Sequence, residues 1–390
     1  MEFGPFWHTS GHASSEGAGK HMNNRDRFVK LFLGKQVDRA PFLDFMGQWP
    51  SALARWQKEG LQVRDGQSPQ EAFHEAIGFD GGRGIYLPAD TFLCPGYEPV
   101  ELENDGRRIL RRNRWGEVVQ DIAGSEVMAI ALEGPVKDRT TWEEVKKHLQ
   151  WDTPGRLPAE WDEVVKKAKA SGETVYAGDL PAGFFGGPRE LLTLEVQAML
   201  FYDDPDLMAD ILDTLCDLWI GLYRRIQEDI TLDWCFIWED MCYKGGPLIS
   251  PAMFREFLMP RYRRLIAAVR SGGCQLILVD SDGDQRPLTP LWLEAGVDLL
   301  MPWESQYGLD LVEVRKAWPK LGIIGGLSEQ ALEQGREAMN RELAKLPYLL
   351  EHGRYIPSVD HNITPRVSWD HVRYFYDRLQ DLIHRHPPCY

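Results

Sequence analysis

Cys274-Gln-Leu-Ile-Leu-Val-Asp-Ser-Asp-Gly-Asp284 is the stretch on which the fold turns. Leu276 to Val279 is an unbroken apolar run, too short for a helix and suited to a strand buried on both faces. It stops abruptly on Asp280, Asp282 and Asp284, with Gly283 free to take a sharp turn. Carboxylates gathered at the end of a buried strand repel one another and resist desolvation, so they need a cation, a donor network or a substrate. Taken alone, the same residues also fit a solvated, Asp-rich turn.

Working outward, the pattern recurs. Upstream, Asp233-Trp-Cys-Phe-Ile-Trp-Glu-Asp240 reads as a strand ending in two acids, and Ser250-Pro251 as the cap and first turn of a helix to about Arg270. Downstream, Val297 to Glu304, Leu321 to Gly326 and Tyr355-Ile356 are further strands separated by helical spacing. Towards the N-terminus, Ala40 to Phe45, Asp80 to Asp90 and Thr174 to Asp179 read the same way. Roughly eight strands alternating with helices predict an α/β protein, a parallel (β/α)8 TIM-type barrel. A doubly wound open sheet is the alternative, disfavoured because no glycine-rich phosphate loop opens a helix. Arg107 to Gln120 alternates in period two and carries Asn113-Arg-Trp-Gly116, predicting an inserted antiparallel hairpin. Pro188 to Met199 and Pro205 to Ile230 read as a helical pair broken at Asp204-Pro205.

Composition narrows the function. Residues 1–22 have no periodicity and read as an expression leader, irregular or disordered, so that residues 23–390 make up a single barrel domain. No apolar run reaches membrane-spanning length, and a soluble, cytoplasmic protein is expected. A formal charge of −15 argues against nucleic acid or anionic membrane as partner. The six cysteines are scattered without a Cys-x-x-Cys pair and read as reduced thiols.

In a barrel, side chains at the C-terminal strand ends face one shared site. Those ends carry Asp44, Asp90, Asp179, Glu239, Asp240, Asp280, Asp282, Glu304 and His361. Each acid singly can be a helix cap, but several converging need a ligand or a metal. Asp280, Asp282 and His361 can supply two oxygens and a nitrogen to a divalent metal, zinc or a harder ion. Gln48, Trp49, Trp303 and Glu304 are candidate substrate contacts, Trp303 as a wall for an apolar or cationic ligand.

Asn24-Arg-Asp-Arg-Phe-Val-Lys30, Asp38-Arg-Ala-Pro-Phe42, Asp203-Asp-Pro-Asp-Leu207, the run Gly245 to Tyr262 and Glu294-Ala-Gly-Val-Asp298 resemble the uroporphyrinogen decarboxylase superfamily. That resemblance implies a (β/α)8 barrel, homodimerisation, and one of two chemistries: cofactor-free decarboxylation, or zinc-dependent methyl transfer with a corrinoid protein. The decarboxylases carry arginines after the first strand to grip substrate carboxylates. Phe45-Met-Gly-Gln-Trp-Pro50 has none. The methyltransferases hold zinc through His-x-Cys and a later Cys, where this chain has Asp280-x-Asp282 and His361.

The expectation is therefore a methyltransferase-like enzyme that passes a methyl group from a small methylated compound to a corrinoid on a partner protein. A metal at Asp280, Asp282 and His361 acts as Lewis acid, and Glu239 or Asp240 protonates the leaving group. The alternatives are a decarboxylase of a small aromatic or pyrrolic acid, using Asp90 or Asp240 with His361 in support and Lys244 on a carboxylate, or a non-catalytic barrel subunit.

Overall fold

The computed structural model describes residues 22–390; the expected leader lies outside the described residues. The strands are β1 (Ile85–Tyr86), β2 (Val100–Asn104), β3 (Arg108–Arg112), β4 (Val118–Ile122), β5 (Ile130–Glu133), β6 (Val175–Ala177) and β7 (Trp234–Trp238). They continue with β8 (Cys242–Tyr243), β9 (Gly246–Pro247), β10 (Leu276–Asp280), β11 (Leu299–Met301), β12 (Gly322–Leu327) and β13 (Tyr355–Val359). Seven of them form one sheet in the order β1-β6-β7-β10-β11-β12-β13. The ladders β1·β6, β7·β10, β11·β12 and β12·β13 are all parallel. This is a mixed α/β architecture of TIM type. By contact the chain divides into two compact units, residues 22–86, 167–176 and 298–390, and residues 87–166 and 177–297.

In the first unit the eighth expected strand, Ala40 to Phe45, is reduced to two isolated parallel bridges, Leu43 to Gly81 and Gln48 to Ile363. Pro41 lacks a backbone N–H, and the chain turns at Gly47 with φ of 78°, so no ladder can propagate between the bridges. The hydrogen-bonded sheet among the described residues thus has seven strands, and a closed eight-stranded barrel is not what the ladders make. β12 and β13 run in register from Ile323 opposite Tyr355 to Leu327 opposite Val359, and every residue of both strands is buried.

The second unit contains β7 and β10, paired from Leu276 opposite Trp234 to Asp280 opposite Trp238. Their all-apolar faces are buried, as a doubly covered strand requires. The inserted element is larger than a hairpin: β2-β3-β4-β5 is a four-stranded antiparallel sheet. Its register slips at both edges, between Glu101 and Glu103 on β2 and opposite Val118 and Val119 on β5, so that Leu102 and Leu132 are each an extra residue. Ser250 caps its helix through Met253 N–H at 3.2 Å, as expected. That helix passes through a π turn, Phe254–Leu258, before continuing as Met259–Ser271. Pro260 cannot donate into the helical ladder, and the widened turn ahead of it accommodates the loss.

Candidate active site

In the first unit, the loop after Phe45 folds back on the strand end. Asp44 is wholly buried and accepts from Gly47 N–H at 3.0 Å, Gln48 Nε2 at 2.7 Å and His74 Nε2 at 3.1 Å. Burial pushes its pKa up, but the bonds and charge of His74, with Gln48 and Gly47, outweigh that and hold it below the ordinary carboxylate value. Gln48 also accepts from Gln70 Nε2 at 2.7 Å. Trp49, half-buried, opens the helix Pro50–Lys58. The loop is tied to the one after β13 by Trp49 N–H to Ile363 O (3.1 Å), Ile363 N–H to Gly47 O (3.2 Å) and Asn362 Nδ2 to Met46 O.

That second loop carries Asp360 and His361. Asp360 is buried and joins three strand exits: its Oδ2 accepts from Ser305 N–H (2.8 Å) and Oγ (2.7 Å) after β11, and its Oδ1 from Glu329 N–H (3.0 Å) after β12. Burial raises its pKa against the pull of these donors. Glu329 is 8% exposed, and its Oε2 has no hydrogen-bond partner among the described residues. Burial first, then the charges of Glu333 and Asp360, push it to about 7, with Arg366 opposing. Glu304 accepts from Gln306 Nε2 at 2.7 Å, and Gln306 Oε1 from Gln330 Nε2 at 3.0 Å. His361 Nδ1 accepts from Asn362 N–H at 2.9 Å, so the neutral ring carries its proton on Nε2 and offers a donor there.

Trp303 needs correcting. It is 0% exposed, and its indole N–H donates to Leu300 O at 3.1 Å, so it packs inside the unit and presents no wall to a ligand. Asp360, Glu329 and His74 were missed. Asp360 lies beside the expected His361 in the loop after β13, and Glu329 follows Ser328 at the exit of β12. His74 had no signal beyond its place in a short helix.

In the second unit, Glu239 is likewise a correction. It is wholly buried and accepts from Phe184, Phe185 and Gly186 N–H at 2.9, 2.5 and 3.1 Å and from Tyr262 Oη. It is an internal clamp with its lone pairs occupied, not a proton donor facing a substrate. The signal was Gly183-Phe-Phe-Gly-Gly187: a Cβ on Gly183 would lie 1.7 Å from Trp238 O, so only glycine lets this segment approach the end of β7.

Asp240 sits at φ of 45°, paired with Arg189 at 3.3 Å, whose guanidinium lies 4.6 Å from the Trp238 ring centre. Asp90 pairs with Arg114 at 2.6 Å. Lys244 is exposed in the turn between β8 and β9. Asp280, the last residue of β10, and Asp282 just beyond it are half-buried, and Asp284 is engaged by Arg286 at 2.8 Å. Asp179 is exposed. Among the described residues, no three His, Cys, Asp or Glu side chains gather to hold a metal ion.

Parallel strands alternating with helices define an α/β protein of TIM type. The uroporphyrinogen decarboxylase family model matches residues 118–382, and the chain belongs to that family, whose members are enzymes. A methyltransferase from Methanosarcina mazei is similar in structure, with a TM-score of 0.57 at 16% identity, covering 92% of this chain and 99% of that one. A B12-independent methionine synthase from Shewanella in complex with selenomethionine reaches 0.44 at 11% identity, over 89% and 97% of the two chains. No curated protein sequence matches the chain.

Proposed function

We propose that the protein is a methyltransferase-like member of the family that takes a methyl group from a small methylated compound and passes it to a corrinoid on a partner protein. The observation that carries this reading is the first-strand exit. Where the decarboxylase resemblance implies arginines for a polycarboxylate, this chain builds a buried Asp44 carboxylate ringed by Gln48, Gln70 and His74. A substrate bearing many carboxylates would meet repulsion there without a charge-assisted partner. A small neutral compound meets amides and an imidazole.

A reduced corrinoid supplies the cobalt electron pair that accepts the methyl. This chain's part is to hold the substrate and supply a proton. The carbon–heteroatom bond breaks, its electron pair stays on the heteroatom, and the heteroatom takes the proton. Glu329 replaces Glu239 as the donor: its pKa is pushed up to about 7, and its Oε2 has no hydrogen-bond partner among the described residues.

The family match also supports decarboxylation of a small acid, in which the same carboxyl would protonate the carbanion. Methyl transfer to cob(I)alamin with a panel of O-, N- and S-methyl compounds decides. Transfer from at least one is expected. Silence across the panel from folded protein, or carbon dioxide release from a small acid that chelators leave unchanged, overturns methyl transfer.

A further inference from the structure

Asp44 and His74 form a pair that the proposed proton delivery does not use. A fully buried carboxylate keeps its charge only where donors surround it. Asp44 has four: the Gly47 backbone N–H, the Gln48 amide, the His74 ring and, at 3.5 Å, the Gln70 amide. Since an ionised carboxylate cannot donate, the ring nitrogen facing it must carry hydrogen. In the neutral ring the proton is therefore on Nε2 and the lone pair on Nδ1. Gln48 reinforces the arrangement, because both ends of its amide are engaged, Nε2 by Asp44 and Oε1 by Gln70. Gln70 Nε2 donates to Gln48 Oε1 at 2.7 Å and lies 3.5 Å from Asp44 Oδ2; its 2.9 Å approach to His74 Nε2 is a contact between two donors and not a hydrogen bond when that nitrogen carries the proton.

What this leaves over is Nδ1. It has no protein partner among the described residues, and the His74 side chain is 21% exposed, with Phe73 and Phe79 against the ring at 5.8 and 5.3 Å. A second polar group is also unanswered. The Tyr376 hydroxyl is buried without a hydrogen-bond partner among the described residues, near enough to Asp44 for the carboxylate's charge to bear on it. Buried polar groups in native proteins are rarely left unpaired, and one that is needs an explanation.

We propose that His74 is a ligand-contacting base at the first-strand exit, with its tautomer fixed by Asp44 and its Nδ1 lone pair offered to the hydroxyl or N–H of a small molecule. This rests on the substrate site proposed above and adds the atom that touches the ligand, whichever reaction follows. A purely structural pair would tie the helix Pro69–Ile77 to the Gly47 loop and give Nδ1 nothing to do.

The test needs no knowledge of the reaction. Long-range proton–nitrogen NMR of histidine-labelled wild-type protein, with His74→Gln identifying the signal, reads the tautomer directly. The Nε2–H form is expected, and an Nδ1–H form overturns the proposal. Diethyl pyrocarbonate, followed by peptide mass spectrometry, reads whether the lone pair is available. His74 should be acylated, and phenol, used as a hydroxyl probe, should slow its acylation several-fold while exposed His352 and His384 react as before. Failure of His74 to react while those two do, or indifference to phenol, overturns the proposal. Asp44→Asn should slow the reaction of His74; where that variant does not fold, the wild-type tautomer and phenol protection decide.

Discussion

Arg156 shows what a buried cation requires. It is 3% exposed, and its guanidinium donates to four carbonyls: Gln150 O (2.6 Å), Asp90 O (2.8 Å), Phe92 O (2.7 Å) and His148 O (2.8 Å). Burial pulls its pKa down, and only the fork geometry serves so many acceptors at once. Arg156→Lys leaves at least one carbonyl unanswered and should cost about 2–3 kcal/mol in denaturant unfolding. A change under about 0.5 kcal/mol, the scatter of ordinary surface substitutions, would refute this role. Glu329 is the opposite case, an acid kept from full ionisation. Glu329→Gln removes the proton but keeps the shape, so methyl transfer should fall by about 100-fold or more with the melting temperature little changed. Full activity would remove Glu329 from the chemistry.

Residues at this scale were only half legible. Asp44, Glu239 and Glu304 look alike in sequence, each an acid closing an apolar run. All three are buried, and which donors enclose each depends on partners elsewhere in the chain: Glu239 is enclosed by amides 53 to 55 positions earlier. Spacing carries no information about that.

Among the elements, the antiparallel insertion is held down where Glu117, at the end of its β3–β4 turn, meets the helix Gly186–Leu192. The Glu117 and Glu190 carboxyls hydrogen-bond to each other, with Asn113 on Glu117 at 3.0 Å and Arg189 3.7 Å from Glu190. Burial, then the Glu190 charge, raises Glu117 to about 8. A folded-state pKa above the unfolded one means that the folded protein binds more protons, so stability falls as pH rises from about 4.5 to about 8 and is level above. The cost at pH 7 is at most about 3 kcal/mol. Glu117→Gln should therefore raise the melting temperature at pH 7 to 8 and flatten its decline across that window. An unchanged slope would show that the pair titrates normally. The insertion itself was visible in the alternation of Arg107 to Gln120, but its outer strands were not. Val100 to Asn104 and Ile130 to Glu133 are exposed along their whole length and each contains an extra residue, which breaks the period that betrays a strand.

At the scale of the molecule, the parallel architecture was legible because β7, β10, β12 and β13 are short, largely apolar runs punctuated by helices of clear spacing. The eighth strand was not, since Pro41 and Gly47 permit bridges without a ladder. The same molecule must also avoid its own copies. A sheet with two open edges and exposed Val100, Leu102, Ile122, Ile130 and Leu132 is a template for polymerisation. The extra leucines in β2 and β5 act as guards: each twists its edge and throws the outward N–H and C=O groups out of step, so that an incoming strand finds no regular partner. Deleting Leu132 restores an even ladder on β5. The expected outcome is concentration-dependent assembly through that edge, seen by light scattering in a protein whose unfolding midpoint is unchanged, and a variant that stays at the wild-type mass would show that the bulge has no such protective role.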